Sequence, residues 1–174
     1  MRVLLVGGGG REHAIGEALV RGGAELYVVS KHRNPGLARL AEGYGLAKET
    51  DVEKVIGYAE KFGVDMAFIG PEAPLERGLV NSFEENGIPA VGPSKEAAKL
   101  ETDKAFARAF MERNEIPGRK VFRVFTDVSE MRSWINDFGK PVVVKPIGLT
   151  GGKGVKVVGY QLKDNEEQRP TPRS

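Results

Sequence analysis

The sequence predicts an α/β fold, a doubly wound parallel sheet with helices on both faces. Three observations support this prediction. Short apolar runs alternate with stretches of helical periodicity, glycine or proline follows most of the apolar runs, and helical stretches stop at glycine-containing turns such as Gly22-Gly23 and Asn86-Gly87. Strands that alternate with helices in this way form parallel sheets whose crossover helices pack on the two faces.

Residues 1–93 supply the alternation and are predicted to be one Rossmann-like domain. The predicted strands are Val3–Val6, Leu26–Val29, Met66–Ile69 and Ile88–Val91. The first helix follows the glycines after the first strand, and Asp51 is a suitable N-cap for the second. The third helix is predicted at Glu76–Asn86. The apolar residues with helical spacing are Ala14, Ala18 and Leu19, then Val55, Ile56, Ala59 and Phe62, then Leu79, Val80 and Phe83.

Residues 94–119 are predicted to be a helical connection. Ser94 can cap one short helix. Thr102 can cap a second helix, in which Phe106 and Phe110 pack one turn apart.

An α+β segment is predicted at 120–160. It starts with a strand at Val121–Phe125, and Asp127 with Glu130 then forms the pattern of a capping box. The helix behind this cap carries an apolar stripe, which is typical of core packing rather than of a cofactor site. The stripe consists of Met131, Trp134, Ile135 and Phe138. Residues 161–174 are almost devoid of aliphatic side chains, and we expect this tail to be disordered.

Composition argues against several classes of protein. The net charge is +2, from 26 basic and 24 acidic residues, so no nucleic-acid partner is expected. No apolar run is long enough to span a membrane, and the N-terminus has no signal-peptide pattern. The absence of cysteine excludes disulfides and thiolate metal sites. We therefore expect a cytoplasmic protein without a membrane partner, and the oligomeric state stays open.

The turn after the first strand is the first candidate for ligand binding. It contains four consecutive glycines followed by a helix, and helix N-termini favour anions. Arg11 could bind a phosphate, Glu12 could hold a ribose hydroxyl or an amine, and His13 could do either or serve as a cap. The alternative is an ordinary tight turn with solvated Arg and Glu side chains. The candidate ligand contacts are Gly9, Gly10, Arg11, Glu12 and His13.

The exit of the strand at Met66–Ile69 is the second candidate. Two prolines stiffen the loop after Gly70, so the Glu72 carboxylate projects from a rigid backbone and could orient a hydroxyl or an ammonium group. A stiff turn with a surface glutamate is an equally good interpretation. The candidate contacts are Pro71, Glu72, Ala73, Pro74 and Leu75.

A nicotinamide-binding site is disfavoured by the glycine pattern. The dinucleotide fingerprint G-x-G-x-x-G needs a third glycine, and the frames that start at Gly7 or Gly8 have Glu12 or His13 in that place. The second strand ends at Ser30-Lys31 without the acidic residue that would hold an adenosine ribose.

The run from Val142 to Val158 predicts a strand, a glycine-rich loop and a return strand. Lys145 closes the first strand and Lys153 lies in the loop, so both could reach phosphates beneath exposed backbone N–H groups. It is not a Walker A motif, because glycine follows Lys153. Lys104, in a helix N-terminal turn, is a further candidate phosphate contact, and an ordinary hairpin is the alternative. The loop glycines are Gly148, Gly151, Gly152 and Gly154.

Together these motifs resemble those of the phosphoribosylamine–glycine ligase family, the ATP-grasp enzymes that make glycinamide ribonucleotide in purine biosynthesis. Asn34-Pro35-Gly36 also stands where that family has a proline-, glycine- and asparagine-containing loop. The resemblance runs from Met1 to about Gly159. It rests on the segments Gly7–Ala14, Gly70–Leu75, Gly92-Pro93 with Lys104–Phe106, and Val144–Val155.

The resemblance implies a reaction in which ATP, glycine and 5-phosphoribosylamine give ADP, phosphate and glycinamide ribonucleotide through glycyl phosphate. It implies that residues 8–13 and 71–75 hold phosphoribosylamine, and that Lys104, Lys145 and residues 148–154 hold ATP. It also implies a pre-ATP-grasp domain followed by part of an ATP-grasp domain.

Members of that family are much longer, and their Mg²⁺ or Mn²⁺ ligands lie in the part without a counterpart here. We therefore expect this chain to be inactive by itself. The alternative is a non-catalytic module that binds a phosphoribosyl group or a nucleotide.

Overall fold

The computed structural model describes residues 1–118, 120–150 and 155–157. The chain divides into two compact units, Met1–Thr102 and Asp103–Ser174, each of which is described by itself. The predictions for the loop residues Gly151, Gly152, Lys153 and Gly154 and for the tail at 161–174 lie outside the described residues.

The first unit contains the predicted parallel sheet. Its order is β3-β2-β1-β4-β5, so the chain winds outward from β1 in both directions. In the centre of the sheet, Leu5 of β1 lies beside Val28 of β2 and Phe68 of β4. The strands are β1 Arg2–Val6, β2 Glu25–Ser30, β3 Gly43–Leu46, β4 Met66–Ile69 and β5 Ala90–Val91.

Six helices accompany these strands. Their N-termini carry the expected signals, since the Asp51 side chain accepts a hydrogen bond from the backbone N–H of Lys54 and Ser94 Oγ accepts one from that of Ala97. The second predicted helix ends at Gly63, which has the left-handed φ of 60°. The helices are α1 Gly10–Arg21, α2 Pro35–Leu40, α3 Val52–Phe62, α4 Glu72–Glu76, α5 Leu79–Glu85 and α6 Lys95–Thr102.

Two buried clusters confirm that the sheet is covered on both faces. Leu4 and Val6 of β1 share one cluster with residues of α3 and α5. Leu5, which points the other way because side chains alternate along a strand, shares the second cluster with residues of α1 and α2. The doubly wound fold is therefore confirmed.

The pair α2 and β3 was not predicted, because β3 alternates glycine with other residues and glycine is a poor strand former. A Cβ on Gly43 would lie 2.8 Å from the Tyr27 ring, and one on Gly45 would lie 2.8 Å from the Tyr58 ring. Glycine is thus required here so that aromatic rings can pack on the edge of the sheet.

The single helix predicted at Glu76–Asn86 is wrong. The structure has two helices, α4 and α5, separated at Gly78 with a φ of 82°. The helical spacing of Leu79, Val80 and Phe83 is confirmed, and all three are buried in the core. Helix α4 begins at Glu72, before the predicted start at Glu76, because prolines are tolerated in the first turn of a helix.

The described residues of the second unit form two helices and a strand pair: α7 Lys104–Arg113, α8 Val128–Phe138, β6 Val143–Val144 and β7 Lys156–Val157. β6 and β7 are antiparallel, as the predicted hairpin requires. The N-cap of α7 is Asp103, whose carboxylate accepts from the backbone N–H of Phe106. Thr102 therefore does not cap this helix but ends α6, and it is buried.

The predicted aromatic contacts of this unit are confirmed. The rings of Phe106 and Phe110 stack with centroids 6.2 Å apart. Ile135 of the α8 stripe is buried, and Trp134 stacks on Phe138 with centroids 4.7 Å apart. Asp127 caps α8 by accepting from the backbone N–H of Glu130.

The strand predicted at Val121–Phe125 is wrong. These residues form no strand, and Val121 is 82% exposed. A strand needs a neighbour to pair its backbone groups, and within the described residues β6 pairs with β7 rather than with this segment.

Candidate functional site

The candidate site lies at the carboxyl edge of the sheet, beside the point where the winding direction changes. The chain leaves β1 toward β2 on one side, whereas β4 lies on the other side of β1. Ligands of open α/β sheets bind at such a switch point. The two loops that border it are the glycine turn, defined here as Gly7–His13, and the loop Gly70–Leu75 that follows β4.

Arg11 joins these two loops. Its Nη1 donates to Glu72 Oε1 at 3.0 Å and its Nη2 donates to the carbonyl oxygen of Gly70 at 2.6 Å. The Arg11 side chain is nevertheless 55% exposed. The structure thus brings together Arg11 and Glu72, two predicted site residues that are 61 positions apart in the sequence.

Glu12 lies beneath this contact and is 5% exposed. One of its carboxylate oxygens accepts from the backbone N–H of Gly9 at 2.7 Å, and the other accepts from Arg11 Nε at 3.1 Å. A Cβ on Gly7 would lie 2.7 Å from Cγ of Glu12, and one on Gly70 would also overlap the Glu12 side chain. Gly7 and Gly70 therefore leave room for the buried Glu12 carboxylate, which stabilises the turn through its hydrogen bond from Gly9.

Hydrogen bonds and charges at this site shift the pKa of Arg11 and that of Glu72. The pKa of Arg11 is raised because the guanidinium donates to Glu12 and to Glu72. The pKa of Glu72 is lowered, chiefly because its own backbone N–H at the start of α4 donates to its carboxylate, and Arg11 adds to this effect. Each interaction favours the charged form of its group.

His13 is half-buried on α1, next to the loop after β2. Its Nε2 lies 3.6 Å from Glu17 Oε1, and a Cβ on Gly36 would overlap the imidazole ring. Gly36 therefore lets the ring lie against the backbone of that loop.

The predicted residues after β4 divide into two groups. Pro71, Glu72 and Ala73 are partly exposed at the site, whereas Pro74 and Leu75 are buried. Leu75 belongs to the core cluster on the α3 and α5 face of the sheet. Among the residues of the glycine turn, Gly9, Gly10 and Arg11 are exposed. Only some of the predicted residues are therefore accessible to a ligand, since Glu12, Pro74 and Leu75 are buried.

Asn34 belongs to the Asn34-Pro35-Gly36 segment noted in the sequence, but sequence analysis did not assign it to the site. Its Oδ1 accepts from the backbone N–H groups of Gly36 and Leu37, so it caps α2, and its Nδ2 donates to the carbonyl oxygen of Gly8 at 3.0 Å. The signal was present, because asparagine followed by proline is a typical start of a helix. Nothing local, however, points to the contact with Gly8.

In the second unit, two predicted phosphate contacts lie together. Lys104 Nζ donates to the carbonyl oxygen of Gly148, and Gly148 has the positive φ of 84° of a turn residue. Lys145 follows β6 directly and is exposed. The ammonium group of Lys104 therefore lies at the start of the glycine-rich loop.

The described residues lack two other kinds of feature. They contain no group of three or more His, Cys, Asp or Glu side chains arranged to hold a metal ion. None of their helices has the length and hydropathy that a membrane span requires.

Comparison with known proteins identifies the family. The sequence-family model of the phosphoribosylglycinamide synthetase N domain matches residues 1–101. The family model of the ATP-grasp (A) domain of the same synthetase matches residues 102–170. The phosphoribosylamine–glycine ligase of Thermococcus gammatolerans is 87% identical over 169 residues, which are 97% of this chain and 39% of that protein. The Pyrococcus furiosus ligase is 79% identical over 97% of this chain and 38% of its own length.

Solved structures agree with this assignment. The crystal structure of phosphoribosylamine–glycine ligase from Thermotoga maritima is 30% identical with a TM-score of 0.72, and the match covers 96% of this chain and 37% of that chain. N5-carboxyaminoimidazole ribonucleotide synthetase from the same organism shares the fold, with a TM-score of 0.74 at 20% identity over 95% of this chain and 42% of that chain. The chain spans about 39% of the length of the Thermococcus gammatolerans ligase. It belongs to the phosphoribosylglycinamide synthetase family.

Proposed function

We propose that this chain carries the N-terminal part of an ATP-dependent ligase that joins glycine to 5-phosphoribosylamine. The products are glycinamide ribonucleotide, ADP and phosphate. In the proposed course, the glycine carboxylate takes the terminal phosphoryl group of ATP, and the amine of phosphoribosylamine then displaces phosphate from the glycyl phosphate. The proposal rests on the family membership and, within the molecule, on the contact of Arg11 with both loops at the switch point.

We assign the phosphoribosylamine subsite to the glycine turn and to residues 71–75. Gly9, Gly10 and Arg11 offer exposed backbone and a guanidinium at the start of α1, where the helix dipole favours an anion. Glu72, at the start of α4, offers a carboxylate to a hydroxyl or an amine. Glu12 supports the turn from within, His13 packs against Gly36 of the neighbouring loop, and Pro74 and Leu75 anchor the other loop in the core.

We assign the ATP subsite to Lys104, Lys145 and residues 148–154. The contact of Lys104 with Gly148 supports this assignment, because a cation beside a glycine turn is suited to a phosphate chain. The metal ion that accompanies ATP would neutralise phosphate charge. We propose that its ligands, and further glycine contacts, correspond to the part of the relatives that this chain does not cover.

The test is a nuclear magnetic resonance titration of ¹⁵N-labelled chain with ribose 5-phosphate and, separately, with ATP. Ribose 5-phosphate should shift amide signals of Gly9–His13, and ATP should shift those of Lys104 and Gly148. Arg11→Gln should weaken ribose 5-phosphate binding roughly 10-fold or more, because a charge-assisted hydrogen bond is lost. Arg39→Gln, an exposed arginine in the last turn of α2, is the matched control.

Two results would contradict the proposal. One is a titration in which Arg11→Gln and Arg39→Gln bind ribose 5-phosphate equally well. The other concerns activity: we expect no glycine-dependent release of ADP from this chain, and clear release from a longer relative assayed in parallel. Turnover by the chain alone would show that it already contains the metal ligands and glycine contacts that we assign to the remaining part of the relatives.

A further inference from the structure

The peptide unit between Gly8 and Gly9 is held at both ends. Its carbonyl oxygen, on Gly8, accepts from Asn34 Nδ2 at 3.0 Å. Its N–H, on Gly9, donates to Glu12 Oε2 at 2.7 Å. Because the peptide unit is planar, these two hydrogen bonds fix its orientation about the chain axis.

Such fixation matters in a run of glycines. Without a Cβ, glycine adopts many backbone conformations, so a peptide unit flanked by two glycines can rotate at little steric cost. The space around Gly8 excludes a side chain, because a Cβ there would lie 2.9 Å from Ser30 Oγ. Close packing thus demands glycine at this position, and the rigidity of the turn must come from other residues.

The orientation of the Asn34 amide follows from its neighbours. Two backbone N–H groups, of Gly36 and Leu37, donate to one of its side-chain atoms at 2.8 Å and 3.2 Å, so that atom must be the oxygen. The nitrogen therefore faces Gly8. The Asn34 backbone N–H donates to the Tyr44 hydroxyl at 3.1 Å, so the residue itself is held in place.

We infer that Asn34 is a positioning residue for substrate binding, which acts by fixing the Gly8–Gly9 peptide. This inference rests on the proposed function, in which the glycine turn binds phosphoribosylamine. The fixed peptide sets the direction in which α1 begins. It thereby sets the placement of Gly10 and Arg11, which are the exposed groups of the turn.

Asn34→Asp isolates this contact. Aspartate keeps an oxygen for the N–H groups of Gly36 and Leu37 and caps helices as well as asparagine. It replaces the donor that faces Gly8 with a carboxylate oxygen, which repels the carbonyl. Asn86→Asp is the matched control, because Asn86 Nδ2 also donates to a backbone carbonyl, that of Ser82, away from the site.

Two measurements on the chain are compared between the variants. The first is hydrogen exchange of the Gly9 amide, which needs no ligand. The second is the affinity for ribose 5-phosphate from the amide-shift titration. For Asn34→Asp we expect faster exchange at Gly9 and roughly 10-fold to 100-fold weaker binding, from the loss of one partly buried hydrogen bond. Asn86→Asp should match the wild type in both.

The outcomes separate this inference from the proposed function. Faster Gly9 exchange with weaker binding supports the inference. Unchanged Gly9 exchange overturns it whether or not the wild type binds ribose 5-phosphate. Faster exchange with wild-type affinity also overturns it, since the contact then has no bearing on binding. A wild-type chain that does not bind ribose 5-phosphate contradicts the proposed function and the substrate role of Asn34 together.

Two further variants guard against misfolding and test the mechanism. If Asn34→Asp does not fold, Asn34→Ser keeps a capping oxygen but is too short to reach Gly8, so it should give the same exchange and binding changes. Glu12→Gln weakens the other end of the same peptide, because glutamine has a single side-chain acceptor oxygen for two donors, the Gly9 N–H and Arg11 Nε. In the double variant the effects on ribose 5-phosphate affinity should be less than additive. Full additivity would overturn the shared mechanism.

Discussion

Three side chains determine the chemistry of the switch point, and each has a different environment. Glu12 is buried with both oxygens engaged, Arg11 is exposed but bound to two carboxylates, and Glu72 is about one-third exposed. Burying a charged carboxylate without such partners would destabilise the fold by roughly several kcal/mol, because its hydration is lost. The Glu12 carboxylate is therefore held inside the fold by Gly9 and Arg11, whereas Arg11 and Glu72 are open to solvent.

The lowered pKa of Glu72 predicts a pH-dependent contribution to stability. The contribution is present above the unfolded-state pKa, near the ordinary value of 4.5, and is lost as the pH falls through the lower folded-state pKa. Glu72→Gln should therefore lower the midpoint temperature of unfolding at pH 7. The loss in free energy of unfolding should be less than about 1 kcal/mol, because the ion pair of Glu72 with Arg11 is exposed to solvent. Below pH 4.5 the difference from the wild type should shrink.

Thermal unfolding by circular dichroism between pH 3 and pH 7 measures this difference. Glu76→Gln, at an exposed position on the same helix, serves as the control and should show no comparable trend. A Glu72→Gln deficit that is as large at pH 3 as at pH 7 would show that the carboxylate charge is not its cause.

The helices and strands differ in how far their own sequence accounts for them. The N-caps Asp51, Asp103 and Asp127 each accept from a backbone N–H three residues later, which is a local interaction. Strand β3 depends instead on distant aromatic rings, which occupy the space that side chains at Gly43 and Gly45 would need. Its glycines look unfavourable for a strand until those rings are taken into account.

A matched pair of glycine substitutions tests this difference. Gly45→Ala should destabilise the chain by about 1–3 kcal/mol, because its Cβ would lie 2.8 Å from the Tyr58 ring. Gly57→Ala in α3 should stabilise it by about 0.5–1 kcal/mol, because the new methyl meets nothing within 4 Å and alanine favours helix.

Urea unfolding of both variants against the wild type provides the measurement. Equal stability of Gly45→Ala and the wild type would mean that the Tyr58 ring moves aside at no cost. A destabilised Gly57→Ala would contradict the open space seen at that position.

Burial is distributed unevenly between the two units. The two hydrophobic core clusters formed by the described residues lie within Met1–Thr102. In the described part of the second unit, Ile135 is the one hydrophobic side chain that is buried, while Val121, Val143 and Ile147 are 82%, 51% and 48% exposed. Because apolar burial is the main favourable term in folding, the first unit holds most of the stability of the chain.

This asymmetry predicts how fragments behave. Residues 1–102 expressed alone should unfold cooperatively, with a midpoint close to that of the whole chain. Residues 103–174 alone should show no cooperative transition. Circular dichroism melts of the two fragments and the chain decide the matter, and a non-cooperative 1–102 fragment would show that its core depends on the rest of the polypeptide.

Local patterns account for most of the fold and for the location of the site. Apolar runs, helical spacing and caps depend on residues within about four positions of one another, so the strands β1, β2 and β4 and the loops after them are predictable. The same patterns place Arg11, Glu12 and Glu72 at one edge of a parallel sheet, because the strands that precede them end there. The glycine motifs carried the family resemblance that the comparisons confirm.

Contacts between residues that are distant in the sequence depend on the strand order of the sheet, and local sequence patterns do not predict them. Arg11 meets Glu72 across 61 positions and Asn34 meets Gly8 across 26, because β1 lies between β2 and β4. Burial then separates Glu12, which supports the turn, from Arg11, which a ligand can reach. The sequence alone therefore indicated that Arg11, Glu12 and Glu72 lie at one edge of the sheet, but not the contact of Asn34 with Gly8. Packing in three dimensions decided which of them support the site and which face solvent.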